Sequence, residues 1–382
     1  MLLHVVSTVM GVQVLERGFH MIIIAFISMF VIALLGLAYL LNRFHHFTWI
    51  RKIGEERKKL SWLLAALPVL VIIIFFYVKT VATTLFVLHL MAFWLLCDLV
   101  NLVIRKVWGR DFKRYYAGAC AIVITVAYLA VGWHNCHYVY QTKYQVKTEK
   151  SIGGKGLRVV QISDSHVGAT FDGEGFAEYM EEVQGTSPDV VVITGDYVDD
   201  DTTRADLIAS CRALGSLKTT YGVYYVFGNH DKGYFDQRDF NEADLRRELE
   251  KNQVKILEDE NVLVDDRFYI IGRQDASSPE RASMASLVEG LDTSKYMMVL
   301  DHQPNAFEEQ ANSGVDLVMA GHTHGGQVFP IGITGVLSGQ YDRAYGMEKR
   351  KDTTFVVSSG ISDWAIPFKT ATFSEYVVID IR

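Results

Sequence analysis

The chain has 382 residues, half of them hydrophobic, and a formal net charge of −7. The charge is unevenly divided, with 16 Lys/Arg against 6 Asp/Glu in residues 1–150 and 21 against 38 in residues 151–382. A C-terminal part with so many excess negative charges argues against a nucleic-acid partner, and four cysteines (Cys97, Cys120, Cys136, Cys211) have no spacing that suggests a disulfide or zinc-thiolate framework.

Four apolar runs come first in the chain. Residues 19–41, 62–78 and 115–133 contain no Asp, Glu, Lys or Arg, and residues 80–104 contain one, Asp98. About 20 apolar residues cross a bilayer core, so residues 1–135 read as a transmembrane region of four helices, with Pro68 as a tolerated kink. A cleaved signal peptide is not expected, because no basic segment precedes the first run. Loop 42–61 holds Arg43, Arg51, Lys52, Arg57, Lys58 and Lys59, and loop 105–114 holds Arg105, Lys106, Arg110, Lys113 and Arg114. The turn at Lys79 has a single basic residue. Basic loops stay cytoplasmic, so a multi-pass protein with both ends and its following domain on the extracytoplasmic side is expected. The same loops suit anionic lipid headgroups. Asp98 lies six residues from the end of its run and is expected to snorkel toward the interface. Trp133, Tyr138, Tyr140 and Tyr144 fit an interfacial aromatic belt.

Residues 138–382 have another pattern, in which short apolar runs alternate with helical stretches. Residues 157–162, 190–193, 223–227, 297–300 and 315–320 read as buried strands. Each ends in a loop with oxygen and nitrogen donors: Asp164-Ser165-His166, Asp196 to Asp199, Asn229-His230-Asp231, Asp301-His302, and His322-Thr323-His324 between glycines. All five histidines beyond residue 137 fall in these loops. Sites in sheets sandwiched by other layers gather at the carboxyl ends of strands, so this repeated placement marks one site. Helices are expected at 174–184, 201–217, 237–251, 281–291 and 304–312, a hairpin over 261–264 and 268–271, and late strands at 354–358 and 375–381. Taken alone, Asp199 and Asp231 each read equally well as turn or cap residues.

The ordered set D-x-H, G-D-x-x-D, G-N-H-D, lone His and G-H-x-H resembles the calcineurin-like metallophosphoesterase superfamily. The resemblance covers roughly the last three-fifths of the chain, from about Tyr140. The wording of residues 162–168 and 321–327, behind membrane spans, looks most like the membrane-associated YkuE/YaeI-like branch. It implies an αββα two-sheet sandwich over residues 138–382 and a centre of two divalent ions, Mn²⁺ ahead of Zn²⁺ or Fe. Asp164, His166 and His324 would hold one ion and Asn229, His302 and His322 the other, with Asp196 bridging. The family reaction implied is hydrolysis of a phosphodiester or phosphomonoester by a hydroxide bridging the ions. His230 would protonate the leaving oxygen with Asp231 holding its imidazole, and Asp199 would orient a ligand. Lys369 stands where the branch usually has arginine, and lysine lacks the bidentate fork for phosphate, which alters recognition of the non-reacting end of the substrate. Tethering favours a lipid or envelope phosphoester as substrate. A non-catalytic phosphatase-fold membrane sensor or scaffold is the alternative reading. A small transporter is disfavoured by the lack of an inverted repeat.

Overall fold

A computed structural model of the chain describes residues 27–109, 114–152, 154, 156–233, 238–364 and 366–382. It divides into two compact units, Met1–Ala130 and Val131–Arg382. Residues 19–26 of the first expected span lie outside the described residues.

In the first unit, α1 (Ile27–His45) is followed by α2 (Thr48–Glu56), α3 (Lys58–Val78), α4 (Thr80–Trp108) and α5 (Tyr116–His137), whose last seven residues belong to the second unit. Helices α1, α3, α4 and α5 are each long and apolar enough to cross a membrane. Leu35, Ile74, Phe75 and Val123 are among many large side chains left exposed on them, a surface that suits lipid rather than water. Helix α3 starts four residues ahead of its apolar run, and α4 and α5 each run four residues past theirs. Backbone hydrogen bonding continues through flanking polar residues, which apolar length alone does not register. The expected loop 42–61 contains α2, with Ile50 buried against its neighbours. Asp98 has partners within the helix cluster. Its carboxylate lies 3.0 Å from Arg43 Nε and accepts hydrogen bonds from the Tyr115 and Tyr39 hydroxyls at 2.6 and 3.3 Å. A carboxylate among membrane-spanning helices is expected to be paired in this way.

The second unit follows with β1 (Val139–Val146), β2 (Leu157–Ile162), α6 (Gly173–Gly185), β3 (Val190–Thr194), α7 (Arg204–Ser216), β4 (Val223–Val226), α8 (Glu242–Lys251), β5 (Val254–Ile256), β6 (Glu260–Val264) and β7 (Phe268–Gly272). It continues with α9 (Met284–Val288), β8 (Tyr296–Leu300), α10 (Phe307–Asn312), β9 (Leu317–Ala320), α11 (Ile331–Leu337), β10 (Gly346–Arg350), β11 (Thr353–Val357) and β12 (Ser374–Ile381). Two six-stranded sheets result, in the orders β1-β12-β2-β3-β4-β5 and β10-β11-β9-β8-β7-β6. Strand alternation builds the layers. Val190 and Val192 of β3 face a core shared with Ile270, Met298, Leu317 and Val356 of the other sheet. Val191 and Ile193 face the opposite way, onto Phe176 and Met180 of α6, Leu207 of α7 and Leu249 of α8. On the far side of the second sheet, Ile271 and Val299 pack with Leu287 of α9 and Phe307 of α10. This is the αββα sandwich.

Strands β2, β3 and β4 run parallel in one sheet, as do β7, β8, β9 and β11 in the other. Their carboxyl ends are joined across the layers where the Gln161 side-chain amide donates to the Ala320 carbonyl at 2.8 Å. One rim therefore collects the loops of both sheets.

Candidate metal centre

The loops on that rim carry the side chains expected from the sequence to hold metal. Asp164 and His166 follow β2, Asp196 and Asp199 follow β3, Asn229 and His230 follow β4, His302 follows β8, and His322 and His324 follow β9. Asp164, His166, Asp196, His322 and His324 all take left-handed backbone angles, with φ of 51°, 36°, 52°, 68° and 47°. Each such residue costs on the order of 1–3 kcal/mol and persists where its surroundings enforce it. Glycines make the room. A Cβ on Gly228 would overlap the Asp196 carboxylate, and one on Gly321 would overlap the Ser163 hydroxyl and the Asp164 carboxylate.

The side chains converge in two groups. His166 Nε2 and His324 Nε2 are 3.3 Å apart, and His324 Nε2 is 3.7 Å from Asp164 Oδ1. His302 Nε2 is 3.3 Å from His322 Nδ1 and 3.1 Å from Asn229 Oδ1. Asp196 Oδ2 stands between them, 3.8 Å from His166 Nε2 and 3.1 Å from His302 Nε2.

These contacts fit a pair of cations. His302 Nδ1 faces the Thr194 carbonyl at 2.8 Å, so the ring donates there and aims Nε2 at Asp196, Asn229 and His322. Acceptors converging without a proton repel one another, and a cation relieves this. Burial pushes His322 down to about 4, assisted by charge on His302, and burial with His166 lowers His324 well below the imidazole range. Both shifts favour the neutral form that a metal ligand needs. Burial opposes charge on His302, yet Asp196 overrides it and raises that ring. Burial would likewise raise Asp196, but His302 and then His166 hold it well below the usual carboxylate range. The centre calls for positive charge beside Asp196. Carboxylate, amide and imidazole donors together suit first-row divalent ions. Three triads of donors on this rim could each hold an ion: Asp164, His166 and His324; Asp196, His302 and His322; and His166, Asp199 and His230.

Two expectations are corrected here. Asp231 does not hold the His230 imidazole. Its Oδ1 accepts the Tyr197 and Val198 N–H groups at 2.8 and 3.1 Å, and its Oδ2 those of Asp196 and Gly228 at 2.9 and 2.7 Å. The carboxylate satisfies amides that the sharp metal loops leave without strand partners. Burial, with Asp196 nearby, still pushes Asp231 up to about 6. Asp199 takes the expected role instead. Its Oδ1 lies 3.0 Å from His230 Nδ1, and its Oδ2 lies 3.1 Å from His166 Nδ1. The second approach does not meet hydrogen-bond geometry. Lys369 is no substrate ligand either. It is fully buried, and Nζ donates to the Ser359 and Gly360 carbonyls at 2.7 and 3.1 Å, while burial pulls it down to about 8. Trp364 went unread in the sequence because a lone tryptophan in a loop belongs to no motif; its ring centroid lies 5.0 Å from that of His230.

Residues 157–326 match the family model for the calcineurin-like phosphoesterases. An uncharacterized metallophosphoesterase of Campylobacter jejuni is 30% identical over 303 residues, 75% of this chain and 76% of its own length. A metallophosphoesterase of Aquifex aeolicus is 27% identical over 64% of this chain and 93% of its own length. A zebrafish (Danio rerio) protein described as a transmembrane protein with a metallophosphoesterase domain is 28% identical over 59% of this chain and 53% of its own. With a relative of this identity matched over three-quarters of both chains, and the ligand-bearing loops inside the family model, the chain belongs to the calcineurin-like metallophosphoesterases.

Proposed function

We propose that this chain is a multi-pass membrane protein whose second unit hydrolyses phosphoesters at a two-metal centre, on the extracytoplasmic side. The observation that carries the reading is the convergence of two donor groups on Asp196 Oδ2, within 3.8 Å of one imidazole and 3.1 Å of the other. Bound here, two divalent ions supply charge that polarises the phosphoryl oxygens and acidifies an attacking water. The rest of the reading concerns the chain's own residues. Asp164, His166 and His324 hold one side of the centre, Asn229, His302 and His322 the other, and Asp196 ties the two together. His230, fixed through Nδ1 by Asp199, delivers a proton to the leaving oxygen. Burial works against charge on His230, but Asp199 and Asp196 outweigh it and raise the ring, which favours the protonated form that a general acid needs. The orientation reading rests on the basic loops between the apolar helices, and Mn²⁺ is the first ion to test.

The test uses the full chain in detergent, stripped of metal and reloaded with Mn²⁺. Chromogenic phosphodiester and phosphomonoester are offered to the parent, Asp196→Asn and His230→Ala. Metal-dependent turnover in the parent, lost in both variants, is expected. Binding of two metals with no turnover of either ester would favour a sensor or scaffold instead.

A further inference from the structure

We propose that residues 329–337 and Trp364 form a platform that enters the bilayer interface and presents the metal centre to phosphoesters of membrane lipids. The substrate class rests on the hydrolase reading above, whereas the docking rests on geometry alone.

Eleven large apolar side chains stand exposed among the described residues of the second unit, and five of them fall between 329 and 337. Leu337 is 81% exposed, Phe329 57% and Ile333 55%. Residues 325–340 contain no charged side chain. Isolated apolar residues are ordinary on protein surfaces, but a contiguous uncharged cluster is not.

The polarity of α11 is inverted. Its buried positions are Gly332 and Gly335, where any Cβ would press on Gly326 or overlap the Tyr341 ring. The glycines let the helix lie flat on the metal loop, while Ile331, Ile333, Val336 and Leu337 point outward. A helix built for water keeps its large apolar side chains inward. This one offers them to an apolar medium, as interfacial helices do.

Position argues for lipid rather than another protein. Gly326, against which the helix packs, lies two residues from His324. The Phe329 N–H donates to Thr370 Oγ1 at 3.1 Å. The adjacent Lys369 N–H donates to the Gly132 carbonyl of α5 at 2.8 Å, and the Asn135 side chain donates to the Lys369 carbonyl at 3.3 Å. The platform is thus fastened to the last turns of a helix able to cross a membrane. Trp133 and Tyr138, near the same helix end, are exposed, as aromatic residues at an interface are. Trp364, 42% exposed, has its ring centroid 5.0 Å from that of His230.

The test places a nitroxide on Ile333→Cys, Leu337→Cys or the control Leu263→Cys in the full chain, with Cys97 and Cys120 replaced by serine. The protein is held in nanodiscs of phosphatidylcholine and phosphatidylglycerol, and collision with oxygen is compared with collision with a water-soluble nickel chelate. The oxygen-to-nickel ratio at 333 and 337 is expected to exceed that at 263 by at least about threefold, because oxygen partitions into lipid and the chelate does not. Equal ratios would overturn the proposal, and so would suppression of both collisions, which would mark a protein partner or a second copy. A substrate arm compares initial rates of the parent and Leu337→Glu on a soluble chromogenic ester and on phosphatidic acid in vesicles. The lipid rate is expected to fall by about tenfold with the soluble rate unchanged. Buried labels with no ester turned over would remove the hydrolase reading and leave the docking. Water-exposed labels with active enzyme would do the reverse.

Discussion

Asp231→Asn separates a structural carboxylate from a chemical one. Asp231 accepts four backbone N–H groups, two on each oxygen, at 2.7–3.1 Å. Asparagine keeps the shape but replaces one oxygen with an NH₂ group, which then faces two N–H donors. Two hydrogen bonds to a charged group are lost, at about 1.5–3 kcal/mol each, or roughly 3–6 kcal/mol together. For a unit of this size each kcal/mol moves the melting temperature by about 2–4 °C, so a fall on the order of 10 °C is expected. The parent carboxyl titrates near 6, so at pH 8 the comparison is with the ionised form. Thermal unfolding of the full chain in detergent is followed together with metal-dependent hydrolysis below the variant's transition. A large melting shift with hydrolysis retained in the folded fraction is the expected result. An unchanged melting temperature with hydrolysis abolished would refute the argument and return Asp231 to the chemistry.

Asp199→Asn weakens the hold on both His166 and His230, and hydrolysis is expected to fall by about 10–100-fold; full activity would show that the two rings are oriented by something else. In Gly228→Ala the new methyl group collides with Asp196, and since neither loop has slack, loss of hydrolysis together with a lower melting temperature is expected. A variant as stable and active as the parent would contradict the packing. Lys369 loses its proton near 8 when folded and near 10.5 when unfolded, so between those values the unfolded chain binds more protons and this group's contribution to stability rises with pH. The span corresponds to about 3 kcal/mol. The melting temperature of the parent should therefore gain on that of Lys369→Met from pH 8 to pH 10, and a constant difference would rule this out.

Much of the candidate site was legible because its donor residues follow apolar strands at short, fixed offsets. Those strands had to be buried, and burial brought their ends to one rim. The partners of the ligands were less legible. Asp199 and Asp231 are both aspartates beside a histidine motif, and only the direction of the backbone decides which one meets an imidazole and which one meets amides. Lys369 illustrates the same limit, since a motif position does not say whether a cation faces substrate or carbonyls. Helix α11 escaped notice because two glycines in seven residues lower helix propensity, and they are tolerated for the close packing they allow. Strand β10 was missed because Glu348, Lys349 and Arg350 read as surface, which suits its place at a sheet edge.

The most direct test of the account is the number of metal ions bound per chain, measured by mass spectrometry of the eluted metal after Mn²⁺ loading. Parent, Asp164→Ala, Asn229→Ala and Asp196→Asn are compared, with hydrolysis measured on the same samples. The account predicts two ions in the parent, one in each single-side variant, and turnover only where both ions are present. Full turnover by a chain holding one ion, or two ions retained when either side is removed, would contradict it.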